Sequence, residues 1–329
     1  GPDMIKHTHH STGICGIAIL NDENFPPEHR GSVVIGNVVT SKVNHDVIDR
    51  KGATPNAVEQ PDFITSKDLW FRPVDIKLGP DGALYILDFY NKIIGHYEVP
   101  LTHPGRDRHR GRIWKVFYAG KDGRKTPPSL PNFQEMSIPE LVDALSSSNL
   151  TKRIMAGHML VQHGGESVSM ALRKVASRAT ARNDAQCIHA NWALLRLGAL
   201  DKNSMAELSK DSSALVRAHA AKMIAASNSM DESASKLLGE LLKDENPRVR
   251  HAAIQSIGRL PSAENLRQAL SFRLQCDPSD SHLYHSARLA LRDQLREPAT
   301  WAGLPAKTTN REELVALADV ALGIPGEAP

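Results

Sequence analysis

The chain has 329 residues and a mass of 36.0 kDa, with 41% hydrophobic and 23% charged residues, fractions that exclude a disordered chain, a collagen-like repeat and a coiled coil. That length calls for two cores of roughly 100–200 residues each. Lys and Arg number 40 against 37 Asp and Glu, and a net charge of +3 is too small to argue for nucleic-acid binding.

Residues 1–10 open with Gly1-Pro2-Asp3-Met4, which reads as the scar of a cleaved expression tag followed by an N-terminal extension. Residues 11–118 alternate β-rich runs with Gly, Pro, Asn and Asp, which predicts short strands over Ile14–Leu20, Ser32–Thr40, Lys42–Ile48, Val74–Leu78, Ala83–Leu87 and Arg112–Phe117. Asp81-Gly82 is a hairpin signal between two of them, so an antiparallel meander is expected. No apolar run reaches the about 18 residues that a membrane span needs. Residues 119–136, with Gly120, Gly123, Pro127, Pro128 and Pro131, form a breaker-rich linker.

From residue 137 to 325 the apolar period changes from 2 to 3.6, and Ala, Leu, Glu, Lys and Arg replace the β-branched residues. Related segments begin at Arg153, His189, Arg217, Arg250 and His285, at offsets of 36, 28, 33 and 35 residues. An unequal period of this size predicts stacked helical hairpins, an α-solenoid. In Leu241–Gly258 one helix ends near Lys243, an Asp/Asn/Pro turn follows, and the next helix starts on Pro247, where the missing N–H costs nothing. Asp244 with Val249-Arg250-His251-Ala252-Ala253, and Asp211 with Val216-Arg217-Ala218-His219-Ala220-Ala221, resemble the HEAT repeat. Glu313–Leu322 is the expected terminal cap helix.

The β part carries a second resemblance. Arg72-Pro73-Val74-Asp75, Gly79-Pro80-Asp81-Gly82-Ala83-Leu84-Tyr85, Asp88-Phe89-Tyr90 and Gly111-Arg112-Ile113-Trp114 resemble the closing blade of glucose/sorbosone dehydrogenase-type β-propellers. The order of β segment and repeats is similar to proteins of that family in which HEAT repeats and a haem-binding CxxCH segment follow the propeller. The resemblance implies an α+β multidomain chain: about two propeller blades, then the solenoid. It implies a parent that oxidises a sugar or alcohol in the periplasm with pyrroloquinoline quinone or a divalent metal, passing electrons to a haem domain. Arg72 matches the place where such dehydrogenases hold the anionic quinone, while the second arginine of that motif is replaced here by Val74. Cys15, Cys187 and Cys276 form no CxxC or CxxCH pair, so this chain encodes no covalent haem site. About two blades cannot enclose a funnel, and the isolated chain is expected to be inactive in that oxidation.

Other candidate chemistry is sparse. His7 and His9 share one face of an extended segment, and His9 and His10 with His45 or Asp88 are the candidate metal ligands. The loop His103–Arg112 carries Arg106, Arg108 and Arg110, a candidate anion site with no interleaved aromatics for base stacking. The alternative to a dehydrogenase fragment is a HEAT binding or scaffold module with a β cap, its concave face meeting a protein or polysaccharide. A metal-dependent hydrolase built on the His/Asp cluster is a third reading. A β segment without its neighbouring blades leaves an unpaired strand edge, so a homodimer through that segment is expected, with no nucleic-acid partner and no membrane span.

Overall fold

The structure is a computed structural model, and it describes residues 9, 11, 13–94, 99–227, 231–304, 310–321 and 323–324. The chain packs as two compact units, Gly1–Asp49 with Asn56–Met159, and Arg50–Pro55 with Leu160–Pro329.

In the first unit, strands β1 (Ile14–Ile19), β2 (Val33–Asn37), β3 (Lys42–Lys51) and β4 (Thr54–Thr65) form a four-stranded sheet in chain order. Strands β5 (Pro73–Leu78), β6 (Leu84–Asp88) and β7 (Arg112–Val116) form a three-stranded one. The expected meander is present, with an extra strand. Thr54–Thr65 gave no strand signal because Pro55 and Pro61 interrupt a largely polar run; β4 is an edge strand, where a proline need not break a ladder bond. Val34, Val43, Ile76, Leu84 and Ile86 from both sheets meet in one core. Gly16, at φ +64°, sits where the β1–β2 register shifts, and a Cβ there would overlap the Asp75 backbone of β5. The Asp81-Gly82 turn closes as expected, with Gly82 at φ +79°.

Residues 119–136 hold neither strand nor helix. Helix α1 (Ile138–Ala144) follows, opened by a capping box between Ser137 and Glu140, and then α2 (Leu150–His163). Composition placed the change of grammar at the linker, whereas packing keeps residues up to Met159 with the sheets. The Asn149 side chain donates to Asp22 (2.7 Å) and to the Gly79 carbonyl (2.8 Å), and the Thr151 hydroxyl donates to the Leu78 carbonyl (2.7 Å).

The second unit continues the hairpin series with α3 (Gly165–Arg173) and α4 (Asp184–Arg196), α5 (Lys202–Leu208) and α6 (Ala214–Ala226), α7 (Glu232–Leu241) and α8 (Pro247–Gly258), and α9 (Ala263–Gln275) and α10 (Ser281–Leu295). Helix α11 (Arg311–Ala321) buries Ala316 and Val320 on the last hairpin, where the cap helix was expected. Asn246 caps α8 and Pro247 occupies its first turn, as the turn sequence predicts. Ala252 and Ala253 are buried, and Gly258 lies so close to α10 that a Cβ would stand 3.0 Å from the Ala290 Cα. Within the same unit, Asp280 caps α10 and accepts from the Ala53 amide and the Thr54 hydroxyl, both at 2.7 Å.

One geometry recurs along the series. An arginine early in the second helix of a hairpin donates back to the carbonyls five and six residues before it: Arg153 to Ser147 and Ser148, Arg217 to Asp211 and Ser212, Arg250 to Asp244 and Glu245. These carbonyls belong to the turn between the two helices, where no ladder partner is available, and a guanidinium reaches two at once. Arg217 also bridges to the next repeat through a two-pronged contact with Asp244, at 2.6 and 2.9 Å. The Val-Arg signature is therefore a turn clamp.

Candidate functional site

The β residues singled out by sequence are committed to the fold. The Arg72 guanidinium is buried and donates to the carbonyls of Asn91 (2.8 Å), Lys92 (2.8 Å), Val38 (2.7 Å) and Val39 (3.2 Å), and to the Ser41 hydroxyl (3.3 Å). It braces the β2–β3 turn against the segment after β6, and its planar fork is occupied by protein oxygens where a quinone carboxylate was expected. Asp88 is also buried and accepts from the Arg72 and Tyr90 amides, the Arg112 guanidinium and the Trp114 indole, at 2.7–3.0 Å. Ligation of a metal by Asp88 would have to displace four donors. Arg112 stands over the Tyr90 ring at 4.3 Å, and Trp70 stacks on the same ring at 5.1 Å. Asp81 anchors the Pro-Asp-Gly turn through Ala83, Tyr85 and Lys115. The motif that carries the dehydrogenase resemblance is thus a structural network.

The candidate metal ligands do not converge. His10 lies outside the described residues, as do His7 and His96. The His9 ring faces Asp46 with one nitrogen (3.0 Å) and Glu59 with the other (3.2 Å), leaving neither for a metal. His45 stands instead beside His29, with ring centroids 5.4 Å apart, and Phe63 closes over both. Burial first, then the neighbouring His29, lowers the His45 pKa. Among the described residues the His45 Nε2 and His29 Nδ1 have no hydrogen-bond partner, but two nitrogens fall short of zinc-like coordination. Among the described residues no group of three or more His, Cys, Asp or Glu is arranged to hold a metal.

The basic loop is braced rather than open. Asn91 and Asp107 exchange two hydrogen bonds of 3.0 Å, Arg110 pairs with Asp107 at 2.7 Å, Arg106 is half-buried, and Arg108 is exposed. The cysteines offer no activated nucleophile. Burial raises all three thiols, Cys187 to about 11.

Trp192, His219 and His251, which the sequence places at helical spacing as core, seam or solvated-face residues, belong to a larger arrangement in the helical unit. Helices α4, α6, α8 and α10 each present a stripe at helical spacing: Trp192 and Arg196, His219 and Lys222, His251 and Gln255, His285 and Leu289. Of these, Trp192, Lys222, Gln255 and Leu289 line a groove of about 440 Å³ whose walls also include Ala225, Ala226, Ala290 and Asp293. The Trp192 indole N–H donates to His219 Nδ1 at 3.0 Å. Burial first, and then the Lys222 and Arg248 charges, push the His219 imidazole down to about 4. His251 is likewise lowered, by burial and then by His282, and accepts or donates one hydrogen bond with Ser286 at 2.9 Å. The signal available in sequence was the repeat itself: the second helices α4, α6, α8 and α10 share one partly exposed stripe.

Two protein families match parts of the chain. Residues 2–120 match a family described as a domain of unknown function (DUF7133), and residues 204–292 match HEAT repeats. No curated protein matches. Among solved structures, the crystal structure of an engineered protein, a target of the Northeast Structural Genomics Consortium, aligns with a TM-score of 0.33 at 15% identity. That alignment covers 57% of this chain and 98% of the engineered one.

Proposed function

We propose that the chain is a protein-binding scaffold: a HEAT-repeat array whose second helices present a docking face, carried with a β unit that has a structural role. The observation that carries this reading is the groove that α4, α6, α8 and α10 line together through Trp192, Lys222, Gln255 and Leu289, with Arg217 tying its hairpin to the next through Asp244. The alignment of HEAT repeats over residues 204–292 supports it. The reading as a sugar or alcohol dehydrogenase fragment gains no comparable support, because Arg72 and Asp88 are engaged by the fold. The hydrolase reading loses its ligand set, since His9, His45 and Asp88 each have different neighbours. A polysaccharide would be met by exposed aromatic platforms, and Trp192 is the one aromatic side chain of the groove.

A photo-crosslinking residue tests the scaffold reading. Placed in the full chain at Gln255, on the second-helix face, it should trap discrete protein species in cells; placed at Glu240, on a first helix, it should not. Equal trapping at both positions, or none at either, overturns the proposal.

A further inference from the structure

The two helix layers of the second unit differ in charge. Helices α4, α6, α8 and α10 carry seven Lys or Arg against two acids, Asp184 and Asp293, whereas α3, α5, α7 and α9 carry five against five. Helices α6 and α8 contain no acid at all. Several of the seven are already spent: Arg217 and Arg250 clamp turns, Arg288 pairs with Asp319, and Arg292 pairs with Asp293 at 2.7 Å. Arg196, Lys222 and Arg248 remain, joined by Arg259 just beyond α8; all four are exposed and have no acidic partner among the described residues. The one carboxylate lining the groove, Asp293, is neutralised by its own neighbour.

Charge and shape thus select an occupant. Lys222 and Arg259 line the groove together with the apolar sides of Trp192, Leu289 and Ala226. We infer that this face docks an acidic segment of a protein partner, with carboxylates paired to Lys222, Arg248 and Arg259 and an apolar side chain seated between Trp192 and Leu289. The inference rests on the scaffold reading and adds the chemistry of the partner. An uncompensated positive face with an apolar floor binds carboxylates of opposite charge, because desolvating the floor strengthens the ion pairs at its rim. Nucleic acid fits less well: stacking platforms for successive bases are absent from the groove, which offers a single indole.

The probe is a fluorescein-labelled peptide of about twelve residues, made of Glu and Asp with three leucines, titrated with the full chain by fluorescence anisotropy in about 50 mM salt. Micromolar binding is expected, weakening as salt is raised. The double variant Lys222→Glu/Arg259→Glu should lose about tenfold or more, whereas Lys236→Glu/Arg267→Glu, on α7 and α9, should stay within about twofold of the parent chain. Both pairs are exposed, and matching circular dichroism spectra would show that the fold is kept. Absence of peptide binding overturns the inference, and so does an equal loss in both double variants. Tighter binding of an oligothymidylate of the same length than of the peptide also overturns it, in favour of nucleic acid. The crosslinking at Gln255 remains the separate readout: trapped protein without peptide binding means a docking face with a different partner chemistry, whereas no trapped protein removes the face itself.

Discussion

Trp192 and His219 show how one side-chain pair couples local chemistry to stability. An indole N–H can only donate, so the Trp192 contact requires His219 Nδ1 to be unprotonated, and burial beside Lys222 and Arg248 opposes a positive imidazole further. The unfolded imidazole takes up its proton near the ordinary value of about 6.5, the folded one at about 4. Stability from this residue is therefore fully present above about pH 6.5 and declines as pH falls from there through about 4, by up to roughly 3 kcal/mol. Urea unfolding between pH 7 and 4 should show that acid limb, and His219→Gln, whose side-chain oxygen can accept from the indole, should flatten it. An unchanged acid limb in His219→Gln would contradict the assignment. Arg72 makes the complementary point: its type and place in the motif were legible in the sequence, but its role depended on which carbonyls came within reach of the guanidinium, and those belong to residues 19–34 positions away in the chain.

At the scale of elements, the clamp arginines differ in a way that mutation can read. Arg250 donates to two turn carbonyls, while Arg217 makes the same two bonds and also grips Asp244 of the following turn, with both partners largely buried. Burial works against the Asp244 charge, but the Arg217 hydrogen bonds, the Asn246 amide and the Arg217 and Arg250 charges together outweigh it and hold that carboxyl below the usual range. Arg250→Ala is expected to cost about 1–2 kcal/mol, and Arg217→Ala about 2–4 kcal/mol because it strands a buried carboxylate. Denaturant unfolding of the full chain compares the two, and equal costs would mean that the bridge to Asp244 contributes nothing. The helical hairpins were readable because each signal is local: an Asn or Asp cap, a proline in the first turn, alanines at the packed positions. Strand β4 was not, because an edge strand can be polar and proline-bearing, and its pairing with β3 is decided by the chain reversal at Gly52.

For the whole molecule, the β unit leaves apolar side chains in water: Ile17 is 62% exposed on β1 and Ile113 is 71% exposed on β7, and both strands are sheet edges. Exposed apolar edges drive association, so the full chain is expected to be a dimer at micromolar concentration, as the unpaired-edge argument from the sequence already holds. Light scattering should report a dimer, and Ile17→Lys/Ile113→Lys should shift it to monomer; a monomeric parent chain would remove the edge-pairing argument.

The order of a β-rich part, a breaker-rich linker and a repeat array could be read from periodicity and composition alone, since burying one face of a strand or helix imposes a period on neighbouring residues. The HEAT turns were legible for the same reason, down to the proline that opens α8. Which polar residues serve chemistry and which serve the fold was decided in three dimensions. Asp88, His9 and His45 look alike as ligands in a sequence, yet four donors surround the first, two carboxylates flank the second and a second imidazole faces the third. The positive face of the second helices has the same origin: unpaired cations become a surface only when helices about 30 residues apart in sequence stack side by side and most of the acids remain on the other layer.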